Sequence, residues 1–185
     1  MELELTKMVD FVRSIPMFTE LSVSDQTALI KSSHFEFWFL AAHKCINPSL
    51  RVVVGVRDFH EAEIKGIVRK DFTENLFSVA KSLLALNLTW EEITVVRGIV
   101  VTFTDRCELE EPEKVERIQS RLISALRILA KRNKQDPDKR ICKIVDRLTA
   151  LRNMTELTHD IHKDILTWPL MKDYPLALDV LQGAS

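Results

Sequence analysis

The chain has 185 residues, 46% hydrophobic and 29% charged, with a formal net charge of −1; that is apolar material for one domain, and the balanced charge gives no nucleic-acid footprint in this segment. Cys45, Cys107 and Cys142 are widely spaced, odd in number and form no CxxC pair, which fits a reducing compartment and speaks against a disulfide framework or a zinc finger. Neither a signal peptide nor a membrane span is expected from the distribution of apolar runs.

Leu5, Met8, Val9, Val12 and Ile15 fall on one stripe, which predicts a helix over Glu2–Ile15 ended by Pro16. The next stretch, Met17–Ala42, is the one around which the fold is expected to be built. Ser22-x-x-Asp25 is a capping-box variant, with a hydroxyl for the free N–H groups and an acid in the positive first turn. Ala28, Leu29 and Ile30 supply an apolar face, and from Phe35 to Ala42 only Glu36 interrupts the apolar run. A helix apolar all round belongs between other layers. Asn47-Pro48 marks a turn, and the β-branched segment Arg51–Val56 reads as one short strand. Helical patterns follow over Phe59–Arg69 and Phe72–Ala85, the second with Leu76, Val79, Ala80, Leu83 and Leu84 in register. Thr89 caps a helix over Trp90–Thr104. Glu110-Glu111-Pro112-Glu113 opens another, with proline and acids where a first turn accepts them. Its stripe is Val115, Ile118, Leu122, Leu126 and Leu129. After the polar loop Asn133–Asp138, the residues Ile141, Ile144, Val145, Leu148 and Leu151 stripe a further helix. Pro169 and Pro175 bracket a loop before a short last helix, Leu176–Leu181.

Catalytic chemistry finds little support. No GxSxG, P-loop or paired-carboxylate motif is present, and four glycines leave little room for phosphate loops. His34, His43, His60, His159 and His162 are scattered. His159-x-x-His162, near Asp160 and Asp164, lacks a third patterned ligand and reads as a solvated helix face. No enzyme activity, metal or cofactor is expected. Glu36 is the anomaly: a carboxylate in an aromatic run must reach solvent or find a partner, because unpaired burial costs several kcal/mol.

Phe18-x-x-Leu21-x-x-x-Asp25-Gln26-x-x-Leu29-Ile30-Lys31 resembles the signature of nuclear receptor ligand-binding domains. Asp105-Arg106 and Leu176–Leu181 resemble later family motifs, in the right order. The segment LEEPEKV is similar to retinoic acid receptors; TKMVDFVRSIPMF and AKSLLALNL are similar to thyroid hormone receptors; RKDFTENLF resembles the peroxisome proliferator-activated group. The resemblance implies an all-α fold, a three-layer antiparallel helical sandwich with one short β-turn element, spanning residues 1–185 as a single ligand-binding domain. The family's first helix and its DNA-binding domain have no counterpart in this chain.

Functionally, the resemblance implies a nuclear transcription regulator that meets DNA only through a domain absent from this chain. The implied partners are a retinoid X receptor, coactivator LxxLL helices, corepressor helices and a small lipophilic ligand. Glu36 with Arg106 matches a pair common in receptors that join the retinoid X receptor. The dimer surface would lie on Lys139–Asn153, through Arg140, Ile144, Arg147, Leu148, Leu151 and Arg152, with help from Val115–Lys131. A coregulator groove would use Val12, Arg13, Ile15, Phe18, Thr27 and Leu29, with Lys31 at the C-terminus of the partner helix and Asp179 at its N-terminus. A ligand pocket would involve Met8, Phe37, Trp38 and Ala41. Retinoic acid and thyroid hormone receptors place an arginine where Ala41 stands, so tight binding of those ligands is not expected, and the aromatic residues of the central helix suggest a reduced pocket. An orphan domain with an occluded pocket, or an unrelated all-helical scaffold, are the alternatives.

Overall fold

The computed structural model describes residues 2–55, 57–158, 161, 179 and 180. Helix α1 runs over Glu2–Arg13 and stops before Pro16, which has no N–H to continue it. Met17 adopts the left-handed region at φ 71°, turning the chain through a short 3₁₀ segment, Phe18–Glu20, into α2, Val23–Ala42.

Ser22 caps α2 by accepting a hydrogen bond from the Asp25 N–H at 3.1 Å. Asp25 does not complete the box. Its carboxylate is buried and accepts the backbone N–H groups of Glu110 at 2.7 Å and Glu111 at 3.0 Å. An acid that looks like a local cap therefore ties the start of α2 to the entry of a helix 85 residues on.

Within the predicted strand Arg51–Val56, Val52–Val53 is extended and forms the middle of three short strands. β1 (Ile46–Asn47), β2 (Val52–Val53) and β3 (Phe59–His60) form an antiparallel sheet in that order. Ile46 pairs with Val53, and Val52 with His60. Asn47 Oδ1 accepts the N–H groups of Ser49 and Leu50, forming the first turn. Phe59 and His60 thus belong to the sheet, and the helix expected from Phe59 begins at Glu61 as α3, Glu61–Ile67. Val52 and Val53 can pair on both sides only because their neighbours in the chain turn back, which a β-branched count does not reveal.

The remaining helices are α4 (Lys70–Leu84), α5 (Trp90–Val101), α6 (Pro112–Arg132) and α7 (Pro137–Glu156). Helix α5 carries a complete capping box: Thr89 Oγ1 accepts from the Glu92 N–H, and Glu92 accepts from the Thr89 N–H. Helices α2, α5 and α6 form the middle layer, with α1 against α2 on one side and α4 with α7 on the other. This is the three-layer helical sandwich that the apolar stripes require. Two apolar clusters fill it, one around Phe39, Phe77 and Val96 and one around Phe18, Leu29 and Val115.

No described helix is long and apolar enough to cross a membrane. His159, Asp160, His162, Asp164 and the Pro169–Pro175 loop lie outside the described residues, as does the predicted last helix apart from Asp179 and Val180, both helical.

Candidate ligand cavity and coregulator surface

Helix α2 has two working faces. Leu29, Ser33, Glu36, Leu40 and the adjoining His43 are buried on one. His34, Phe35, Phe37, Trp38 and Ala41 line a cavity of about 430 Å³ on the other, spaced as a helical stripe must be. Met8 and Leu5 of α1, Phe72 of α4 and Arg97 of α5 complete its walls, with Thr158 and Ile161 at the far side. Met8, Phe37, Trp38 and Ala41, the residues expected at a pocket, all face this one space. Trp38 is 42% exposed and stands with Glu4 and Ala41 at the mouth. The volume falls in the lower part of the range for small-molecule sites, so the aromatic residues narrow the space without filling it. Phe39, the fourth aromatic of the run, is wholly buried in the core instead.

Most polar groups around the cavity already have partners. His34 Nδ1 donates to the Lys31 carbonyl at 2.8 Å, and burial lowers its pKa. Thr158 donates to the Thr155 carbonyl at 2.6 Å, and Glu4 pairs with Lys7 at 2.7 Å. Arg97 differs. Its guanidinium lies 3.8 Å from the ring centroid of Phe37 and 5.1 Å from that of Phe11, and its Nε is buried with no hydrogen-bond partner among the described residues.

The Glu36 anomaly resolves inside the fold. Arg106 Nη1 donates to Glu36 Oε1, both side chains being buried. Burial pushes the Glu36 carboxyl up, and the Arg106 charge pulls against it without winning. Neighbouring Asp105 accepts from Arg152 of α7, so the turn after α5 is tied both to the central helix and to α7.

The expected coregulator residues divide in two. Val12, Ile15, Phe18 and Leu29 are buried in the core around α1, α2 and α6, so they cannot line an open groove. Arg13 and Thr27 are exposed and Lys31 is half-buried, and with Val9, Val23 and Ile30 they form the outward side of the same elements. The spacing held the signal: Val9 with Arg13, and Val23 with Thr27 and Lys31, recur every four residues. A second departure concerns the clamp. Lys31 Nζ bonds Asp179 Oδ1 directly at 2.8 Å. Two charges in contact cannot also hold opposite ends of a helix of about two turns, roughly 11 Å long.

Residues 1–163 match the model of the ligand-binding domain of nuclear hormone receptors. The chain belongs to that family. It is 29% identical to retinoic acid receptor gamma of Xenopus laevis over 158 residues, covering 82% of this chain and 32% of that protein. It is 30% identical to nuclear receptor ROR-alpha B of Danio rerio over 156 residues, covering 82% and 33%, and 28% identical to nuclear receptor ROR-beta of Rattus norvegicus over 151 residues, covering 81% and 32%. The chain spans about a third of the length of these relatives.

In this receptor domain α7 is not the amphipathic rim expected of it. Ile144, Leu148 and Leu151 are core residues. Arg140 is buried too: it grips Glu92 through two nitrogens at 3.0 and 2.7 Å and donates to the Leu86 carbonyl at 2.7 Å. Burial works to raise the Glu92 carboxyl, but Arg140 and the capped N–H hold it below its ordinary value. Arg147 is bound to Asp146 and Arg152 to Asp105. The outward side of α7 comprises Cys142, Lys143, Val145, Asp146 and Thr149. A stripe of apolar residues with interspersed arginines is the same in sequence for an inward and an outward face, and only the packing of α4 and α6 against α7 decides between them.

Proposed function

We propose that this domain is a ligand-responsive platform in the nucleus that recruits coregulator helices to the outward surface of α1 and α2, and that it works paired with a retinoid X receptor. The Lys31–Asp179 ion pair carries the reading. A partner helix leaves free carbonyls at its C-terminus and favours a cation there. Lys31 sits where it can supply that cation, one helical turn from Thr27, but Asp179 already holds it. The terminal segment and a partner helix therefore compete for one lysine, and a ligand that shifts the terminal segment shifts the competition. Membership of the receptor family and the cavity beneath α2 support this reading.

The test is fluorescence anisotropy with coactivator LxxLL and corepressor peptides. Lys31→Ala is expected to weaken both peptides about five- to tenfold, the size of one lost charge-assisted contact. Asp179→Ala is expected to strengthen the corepressor by releasing Lys31, and to weaken the coactivator, which would bind once Asp179 has left Lys31 and moved to the N-terminus of the partner helix. Unchanged affinities in Lys31→Ala would remove the mechanism.

A further inference from the structure

We infer that Arg97 of α5 is the head-group anchor of the cavity and that the preferred ligand is a lipophilic monoacid whose carboxylate meets this guanidinium. The inference rests on the ligand-binding reading of the cavity. Central helix α2 offers no cation to the space: its lining residues are His34, whose Nδ1 is bonded to a backbone carbonyl, three aromatics and Ala41. Among the described lining residues Arg97 is the one that brings a permanent positive charge.

The cation–π contact with Phe37 and Phe11 does not use up that charge. A ring supplies no acceptor oxygen, so contact with the two rings leaves the hydrogen-bonding capacity of the guanidinium unused. Its Nε is buried and unsatisfied among the described residues. Among the described residues no carboxylate forms an ion pair with Arg97. Glu4 acts on it only at a distance and is itself bonded to Lys7. Burial depresses the arginine's affinity for its proton, the mark of a cation short of compensation. Contact with the two rings restrains the guanidinium, so a carboxylate can be met with less ordering left to do. Beyond the guanidinium the walls are Leu5, Met8, Phe35, Trp38 and Phe72, which suit a hydrocarbon body.

The probe is cis-parinaric acid, read by its fluorescence against its uncharged methyl ester, on the full chain. The wild type is expected to bind the acid at least about tenfold more tightly than the ester. Arg97→Gln is expected to bring the acid down to the affinity of the ester, and Arg97→Lys to keep part of the preference. Ala41→Trp, at the exposed mouth, is expected to weaken both probes and so locate them in the cavity. Equal binding of acid and ester by the wild type would overturn the role of Arg97 and leave the ligand-binding reading intact. The same follows from a preference that survives in Arg97→Gln. Failure of the wild type to bind either probe would overturn both. The acid–ester comparison on the wild type stands even if Arg97→Gln does not fold.

Discussion

Glu36 shows how much one partner changes the meaning of a residue. Alone in an aromatic run it is an error; with Arg106 it joins the central helix to the turn after α5. The arrangement is still costly, because burial holds its carboxyl above the ordinary value of 4.5. A group whose folded pKa is raised stabilises the fold fully below its unfolded pKa and loses that contribution as pH rises through the folded value. Arg106→Met removes the opposing charge and raises the Glu36 pKa further. The variant is therefore expected to be less stable than the wild type by about 3–5 kcal/mol at pH 7. The gap should narrow as pH falls and the folded carboxyl takes up its proton, which it does above the ordinary value of 4.5. Urea denaturation across that range checks the sign; a gap that widens in acid would contradict it.

Helix ends decide the architecture at the next scale. Thr89 and Glu92 form a reciprocal cap visible within four residues of sequence. Asp25 has the same local appearance yet serves α6, where it accepts two backbone N–H groups. Asp25→Ala should leave both donors buried without acceptors and cost roughly 2–3 kcal/mol, against about 1 kcal/mol for Thr89→Ala. Asp25→Asn, with one strong acceptor left, should fall between. Hydrogen exchange separates the cases. Asp25→Ala is expected to expose amides at the start of α6, whereas Thr89→Ala should loosen only the first turn of α5.

At the scale of the whole molecule, the inward turn of α7 relocates the surface on which a receptor partner is proposed to sit. Val145 is 48% exposed and Ile128 of α6 is 66% exposed, while Leu148 is buried. Val145→Glu is expected to weaken association with a retinoid X receptor by at least about tenfold, since a charge desolvated at an apolar contact costs more than 1.4 kcal/mol, with the melting temperature unchanged. Leu148→Glu should instead unfold the domain, because it places a charge in the core without a partner. Sedimentation of the mixtures, with thermal melts of each variant, distinguishes a surface from a core. Unaltered association in Val145→Glu would exclude this side of α7.

The helices, their stripes and their order were legible in the sequence because burial imposes a period of 3.6 on any helix that packs, and the caps at Ser22 and Thr89 act within one turn. The cavity was partly legible for the same reason: Phe37, Trp38 and Ala41 share one helical face, and His34 joins them only in the fold. What the sequence could not settle were relations between elements. Whether Leu148 faces a partner or α4, whether Val12 lines a groove or a core, and whether Asp25 caps α2 or α6 depend on contacts across long separations. Arg97 is the plainest instance. In sequence it is one cation in a helix of valines and isoleucines, and only the approach of α1 and α2 turns it into the charge at the wall of a cavity.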